Sequence, residues 1–289
     1  MIPTTLKEAT NDKAKRHIVP LSGGKDSTAL AVYMIENHSD LPLEFVFNDT
    51  GAELPETYAF IKRFEAIFGV EVKRLTALDL PELQVRAKEG RRNPFDVLLD
   101  EVYSGFLPSP QARWCTRMLK IKPFEHFVGD DECYSYIGIR ADETRDGFGG
   151  AARNHSGSYD ADRGSQGRTV SLSSKENIHP VYPFKDIGLG IDDIRDILES
   201  SGLGLPDYYR WRSRSGCYFC FYQQVGEWQG LLEEHPELFE KAAAYETVRD
   251  DGKQFTWTQR RTLEELAKLK RRYDSPVGEP EDGCAICHL

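Results

Sequence analysis

The chain has 289 residues, 37 Lys and Arg against 47 Asp and Glu, a formal net charge of −10, and a hydrophobic fraction of 39% that includes 15 Phe, 13 Tyr and 4 Trp. Such a composition can bury one large core or two modest ones, which excludes global disorder, and no apolar run approaches the ~18 residues of a membrane span. The acidic balance also argues against a protein that coats nucleic acid through bulk charge, although net charge does not report local patches.

The N-terminal residues lack the apolar run of a signal peptide, so a cytoplasmic protein without membrane attachment is expected. In that compartment the six cysteines read as metal ligands or redox groups rather than a disulfide framework.

In chain order, His17-Ile18-Val19-Pro20-Leu21 predicts a first strand, and the spacing of Leu30, Ala31, Met34 and Ile35 predicts a helix behind it. Leu43–Phe47 predicts a second strand, Tyr58 to Phe68 a second helix, and Val70–Leu75 a third strand. A helix is expected around Pro123, a fourth strand over Tyr134–Ile139, and extended structure over His179–Phe184. Between the last two, residues 145–172 hold six glycines and four serines and read as a long mobile loop or a partly disordered insertion. Ile191–Ser200 is helical by pattern, and residues 226–271 read as two or three amphipathic helices. Alternation of strand and helix predicts an α/β fold, a parallel twisted sheet with helices on both faces. The expected division is a nucleotide-binding α/β domain over 1–205 and a helical C-terminal region over 206–289.

The sharpest local signal is Ser22-Gly23-Gly24-Lys25-Asp26-Ser27, between the first strand and its helix. Two glycines let the backbone turn tightly and turn N–H groups toward an anion; the helix N-terminus and Lys25 add positive charge. Asp26 is a candidate magnesium ligand, and Ser22 and Ser27 can donate hydroxyl hydrogen bonds. The string is not a Walker A loop, which has different spacing.

SGGKDS resembles the PP-loop of ATP pyrophosphatases, the adenine-nucleotide α-hydrolase-like group. Asn48-Asp49-Thr50-Gly51-Ala52-Glu53-Leu54-Pro55 at the end of the second strand is similar to the phosphoadenosine phosphosulfate (PAPS) reductase branch. The resemblance implies adenine binding by backbone around Leu21 and Phe47, with Asp49, Thr50 and Gly51 lining the nucleotide pocket. Gly138-Ile139-Arg140-Ala141-Asp142-Glu143-Thr144-Arg145 resembles a third segment of that family. Arg140 and Arg145 suit a phosphate clamp, because guanidinium pairs bidentately with phosphate oxygens; the other reading is an ion pair with Asp142 or Glu143. Lys25, Asp26 and Arg140 are the expected catalytic residues.

Cys217-Tyr218-Phe219-Cys220 and Cys284-Ala285-Ile286-Cys287 are two C-x-x-C pairs with 63 residues between them; Cys115 stands alone and Cys133 reads as a small buried hydrophobe. Two metal readings stay open. One is a [4Fe-4S] cluster on Cys115, Cys217, Cys220 and either Cys284 or Cys287, or with three protein ligands and one open iron. Cluster-bearing relatives in the resembled family likewise use a mid-chain cysteine plus a later C-x-x-C. The other is a zinc ion on Cys217, Cys220, Cys284 and Cys287.

Arg210, Arg212 and Arg214 alternate with Tyr208, Tyr209 and Trp211 ahead of Cys217, and Arg86 to Lys122 carries a local net charge of +4. Arginine mixed with aromatics fits either a DNA or RNA strand or a cationic pocket for ATP and sulfur-bearing anions. By resemblance, the expected function is an ATP pyrophosphatase that adenylates an acceptor for sulfur insertion, as in DNA phosphorothioation. A cysteine desulfurase and other modification subunits would be its partners. The alternatives are a PAPS or adenylylsulfate reductase releasing sulfite, and a non-catalytic nucleotide-binding module stabilised by zinc. The tail Glu281-Asp282-Gly283-Cys284-Ala285-Ile286-Cys287-His288 departs from the reductase motif Glu-Cys-Gly-[Ile/Leu]-His.

Overall fold

A computed structural model describes residues 4–84, 93–143, 173, 175–214, 216–246, 252, 254–258 and 261–269. Its centre is a sheet of five parallel strands, β1 (Arg16–Leu21), β2 (Leu43–Asn48), β3 (Val72–Leu75), β4 (Cys133–Tyr136) and β5 (Ile178–Val181), in the order β3-β2-β1-β4-β5. A strand covered on both faces reads as a continuous apolar run, and Ile18 to Leu21 and Phe45 to Phe47 are all buried. Alternate residues serve opposite faces. Val19, Leu21, Phe45 and Phe47 join a core with Leu30, Met34, Phe60 and Phe64, whereas Ile18 and Val46 pack with Leu75, Phe124, Val128 and Cys133.

Three early helices frame this sheet. α1 (Leu6–Asn11) begins with a capping box in which Thr5 and Glu8 satisfy each other's free N–H groups. α2 (Lys25–Asn37) starts directly after β1 and is buried along most of its length. α3 (Pro55–Phe68) follows β2, with Pro55 in the first turn, where a missing N–H costs nothing.

The strand order reverses between β1 and β4, the place where open α/β sheets bind ligands. Register sharpens that crevice. β1 pairs with β2 as far as Leu21↔Phe47, but with β4 only as far as Ile18↔Ser135. Pro20, which has no N–H, lies two residues past the last β4 pairing.

Strand ends differ slightly from the periodicity reading. β3 begins at Val72 rather than Val70, and β4 ends at Tyr136, after which Ile137 N–H donates to Val181 O. Past β5, Pro183–Ile187 turns helical instead of staying extended. Ile191–Ser200 forms the expected amphipathic helix, packed on α2, and the C-terminal pattern resolves into Val225–Glu234, Pro236–Ala244 and Leu263–Ala267. The expected loop over 145–172 falls outside the described residues. No helix among the described residues is long and apolar enough to cross a membrane.

Candidate functional site

The turn after β1 is built by its own small side chains. Ser22 N–H bonds Ser27 Oγ at 3.0 Å, the two hydroxyls meet at 2.9 Å, and Gly24 N–H reaches Ser22 Oγ at 3.3 Å. Gly23 sits at φ +71°, and a Cβ there would lie 2.5 Å from Thr57 Cγ2 of α3, so both conformation and space require glycine. Gly138, just past β4, is constrained by space alone: a Cβ would stand 2.9 Å from the Asp26 carbonyl oxygen. The end of β4 therefore presses against the first turn of α2.

Charge concentrates at that turn. Lys25 and Asp26 are about 5–6% exposed, with Lys25 Nζ 3.4 Å from Asp26 Oδ2, and Arg140 Nη1 donates to Asp26 Oδ1 at 2.8 Å. Arg140 Nε also bonds Asp142 Oδ1 at 3.0 Å. Burial works against the Arg140 charge, but attraction to Asp26, its hydrogen bond and Asp142 outweigh it and hold the guanidinium above its ordinary range. Two consecutive tyrosines close over the loop: Tyr208 Oη donates to Gly23 O at 2.8 Å, and Lys25 N–H donates to Tyr209 Oη at 3.3 Å. The Lys25 ammonium lies 5.3 Å from the Tyr209 ring centroid.

A second loop, after β2, is organised around one buried carboxylate. Glu53 accepts from Thr50 Oγ1 at 2.7 Å, Thr50 N–H at 3.2 Å and Ala52 N–H at 3.3 Å. Asp49 accepts from Tyr58 Oη at 2.7 Å and Gly51 N–H at 2.9 Å, and faces Arg74 at 3.7 Å. Burial raises the Glu53 carboxyl above its ordinary value, with Lys120 opposing the shift. This loop touches the C-x-x-C segment directly, because Tyr218 N–H donates to Ala52 O at 2.8 Å and Thr50 Oγ1 lies 3.3 Å from Cys217 Sγ.

The cysteines are brought together by their aromatic neighbours. Trp114, beside Cys115, and Phe219, between Cys217 and Cys220, both pack on Phe95, with ring centroids 5.4 and 4.1 Å away. Phe219 stacks in turn on Trp257 at 5.1 Å, inside a core that includes Trp211, Tyr218 and Trp228. Burying rings of this size on one another is worth several kcal/mol, roughly 1.5–3 per side chain. Arg212 then fixes the thiol loop from within. It is fully buried and donates to Gly216 O at 3.2 Å and Cys217 O at 2.8 Å.

Cys115, Cys217 and Cys220 form no disulfide among the described residues, and Cys220 is close enough to each of the other two for their charges to interact. Burial and the neighbouring Cys220 push Cys115 up to about 12, and burial with the Glu53 charge pushes Cys217 well above its ordinary value. Bare thiolates are thus unfavourable here, and a bound metal would supply the missing positive charge. Three soft thiol donors from two segments suit an iron–sulfur cluster, whose cysteines bind separate irons and need not converge on one point. Among the described residues no three His, Cys, Asp or Glu side chains converge to hold a single metal ion.

Of the residues singled out from sequence, Leu21, Ser22, Gly23, Gly24, Lys25, Asp26, Ser27, Gly138 and Arg140 form one cluster. Phe47, Asp49, Thr50 and Gly51 lie at the neighbouring strand end, and Cys115, Cys217 and Cys220 stand beyond them. Arg145, Cys284 and Cys287 lie outside the described residues. Arg212, Tyr208 and Trp211 are at most 3% exposed, so the basic-aromatic string does not lie along one surface strip. Sequence reasoning assigned no role to Glu53, Tyr58 or Lys120. The first lay in a quoted motif, whereas Lys120 is one of eight basic residues in the Arg86–Lys122 stretch, five residues from Cys115 in a π-helical turn, Arg117–Ile121.

Comparison with known proteins places residues 16–147 in a match to the phosphoadenosine phosphosulfate reductase domain. An uncharacterized protein of Methanocaldococcus jannaschii is 25% identical over 80% of this chain and 42% of its own length. A second from that organism is 26% identical over 76% and 45%. An uncharacterized nin region protein of Escherichia phage lambda is 28% identical over 45% of this chain and 49% of its own. The chain thus spans less than half the length of these curated relatives. Among solved structures, PAPS reductase from Candida auris in its phosphate complex aligns with TM-score 0.39 and 12% identity, over 66% of this chain and 75% of that one. U34-tRNA thiolase NcsA from Methanococcus maripaludis with its [4Fe-4S] cluster aligns with TM-score 0.43 and 16% identity, over 81% and 72%.

Proposed function

From the match of residues 16–147 to the PAPS reductase domain we propose an ATP pyrophosphatase that adenylates an acceptor, a nucleic-acid oxygen, for sulfur insertion. The observation that carries this reading is the direct contact between the two nucleotide-side loops and the thiol segment: Tyr208 and Tyr209 on the Gly23–Lys25 turn, Tyr218 and Cys217 on the Thr50–Ala52 turn. A phosphate site and a sulfur site that share hydrogen bonds suit a reaction in which an activated group meets sulfur without diffusing away.

In this reading residues 1–205 hold the nucleotide and residues 206–289 carry most of the sulfur chemistry. Adenine rests on backbone at Leu21 and Phe47, and Asp49, Thr50 and Gly51 line the pocket. Backbone N–H groups of the 22–27 turn and the Lys25 charge hold the β- and γ-phosphates. Arg140 steadies the α-phosphate oxygens, joined by Arg145, and Asp26 orients Lys25 and Arg140 and offers an oxygen to Mg²⁺. An acceptor oxygen attacks the α-phosphorus, and the bond to the β-phosphate oxygen breaks with release of pyrophosphate. A sulfur nucleophile then attacks the adenylated centre, and AMP leaves with the oxygen. Charge stabilisation by fixed donors is the main catalytic contribution. Cys115, Cys217 and Cys220 would hold a [4Fe-4S] cluster, with Cys284 or Cys287 a candidate fourth ligand, and the cluster would supply or carry the sulfur. A zinc ion on Cys217, Cys220, Cys284 and Cys287 is the alternative.

Incubation with α-labelled ATP, a desulfurase and nucleic acid tests the proposal. Pyrophosphate and AMP should form, and Lys25→Ala should lower their release at least ~100-fold while the circular-dichroism spectrum stays unchanged. Thioredoxin-dependent sulfite from PAPS would instead establish a sulfonucleotide reductase, the reading the family name favours. Turnover of neither substrate would leave a nucleotide-binding module.

A further inference from the structure

Five arginines among the described residues face acids. Arg16 pairs with Glu44 and Asp131, Arg74 with Asp49, Arg140 with Asp26 and Asp142, Arg195 with Asp192, and Arg210 with Glu234. Among the described residues Arg113 and Arg117, like Arg63 and Arg261, have no such partner, but they alone flank a cysteine. Both are exposed, they lie four residues apart on either side of Cys115, and no carboxylate among the described residues pairs with either. Among the described residues the Arg113 side chain hydrogen-bonds the Pro110 carbonyl, at 3.1 Å.

The Arg113 guanidinium also lies 5.2 Å from the ring centroid of Tyr222, and the Arg214 guanidinium lies 4.9 Å from the same centroid. Arg214 Nη2 donates to the Tyr222 carbonyl at 2.6 Å, and the Phe221 ring adjoins Tyr222 at 4.6 Å. Tyr222 is two residues past Cys220, and Arg113 two residues before Cys115, so this group stands at the rim of the thiol pocket. A small anion such as pyrophosphate needs the cations but gains nothing from the rings. A nucleotide strand uses both, with phosphates on the guanidinium groups and a base stacked on the aromatic platform.

We propose that Arg113, Arg117 and Tyr222, with Arg214 holding Tyr222 in place through its carbonyl, form the landing platform for a single-stranded nucleic-acid segment, presenting the nucleotide to be modified to Cys115, Cys217 and Cys220. The proposal rests on the sulfur-insertion reading and adds to it where the acceptor binds. On a chain of net charge −10, the interaction is local and strongly weakened by salt.

Fluorescence anisotropy with a short labelled single-stranded oligonucleotide, in a salt series without ATP, tests it on the whole chain. Arg113→Glu and Arg117→Glu should each weaken binding about tenfold and make the salt dependence shallower by about one ion. Tyr222→Ala should weaken binding about tenfold at nearly unchanged salt slope, and Tyr222→Phe should restore it. Thermal midpoints identify any variant that fails to fold, and Tyr222→Phe guards against that reading. No binding by the wild type at low salt, equal binding by the variants, or displacement of the oligonucleotide by millimolar pyrophosphate would each overturn the platform. Platform-dependent binding without ATP turnover would keep the platform and remove the sulfur-insertion reading. ATP-dependent modification of a small acceptor, with platform variants like wild type, would do the reverse.

Discussion

Gly23→Ala offers a test in which two physical effects can be separated. The substitution forces an L-residue to φ +71° and drives its Cβ to 2.5 Å from Thr57 Cγ2, a methyl in a buried, β-branched side chain on α3. The left-handed backbone costs roughly 1–2 kcal/mol, and overpacking against a stiff neighbour roughly 1–3 kcal/mol. Thr57→Ser deletes the obstructing methyl and alone costs about 1 kcal/mol. In the double variant the steric part should vanish while the backbone part persists, giving a coupling energy of about 1–3 kcal/mol in favour of the pair. Urea unfolding of the four proteins, with the slope held common, measures it. Additive losses would show that the methyl contact is not what excludes a side chain at position 23. Pyrophosphate release should stay low even in the double variant, because the turn's N–H groups remain misdirected.

Arg212→Met should leave the Gly216 and Cys217 carbonyls without their buried donor. A loss of about 2–4 kcal/mol should appear together with lower iron or zinc content after anaerobic reconstitution; unchanged metal content would refute the role. Cys217→Ala should lose bound metal, whereas Cys133→Ala, at a fully buried position in β4, should keep it, as read by metal analysis. His17 is held below its ordinary 6.5 by burial, partly offset by its hydrogen bond to the Asp12 carbonyl and the Asp12 charge. Its folded value is below the unfolded one, so its stabilising contribution is present above 6.5 and lost as pH falls below it. Urea midpoints between about pH 7 and 5 should fall for the wild type and flatten for His17→Gln; parallel curves would reject this.

Local pattern made the sheet legible. β1, β2 and the turn between β1 and α2 follow from apolar runs interrupted by glycine, because both signals lie within a few residues. The thiol site was legible only as a set of candidates. Nothing in the string around Arg212 distinguishes a guanidinium folded inward from one in water; its position depends on the turn at Gly216 and on the aromatic packing of Tyr208 and Trp211. Glu53 was similarly hidden, since an acid in a loop usually faces solvent, and only the tertiary lid formed by Tyr218 and Cys217 desolvates it. Trp114 and Phe219 bring Cys115 to the C-x-x-C through Phe95, a meeting of three distant segments that no spacing rule encodes.

Pro20 suggests how the crevice stays apart. A parallel ladder advances like a zipper, one amide hydrogen at a time, and β1 has none to give at this step. The β2 side continues past it to Leu21, while the β4 side has already let go at Ile18. The strands therefore part just before a position whose covalent chemistry offers no amide hydrogen for a ladder to resume.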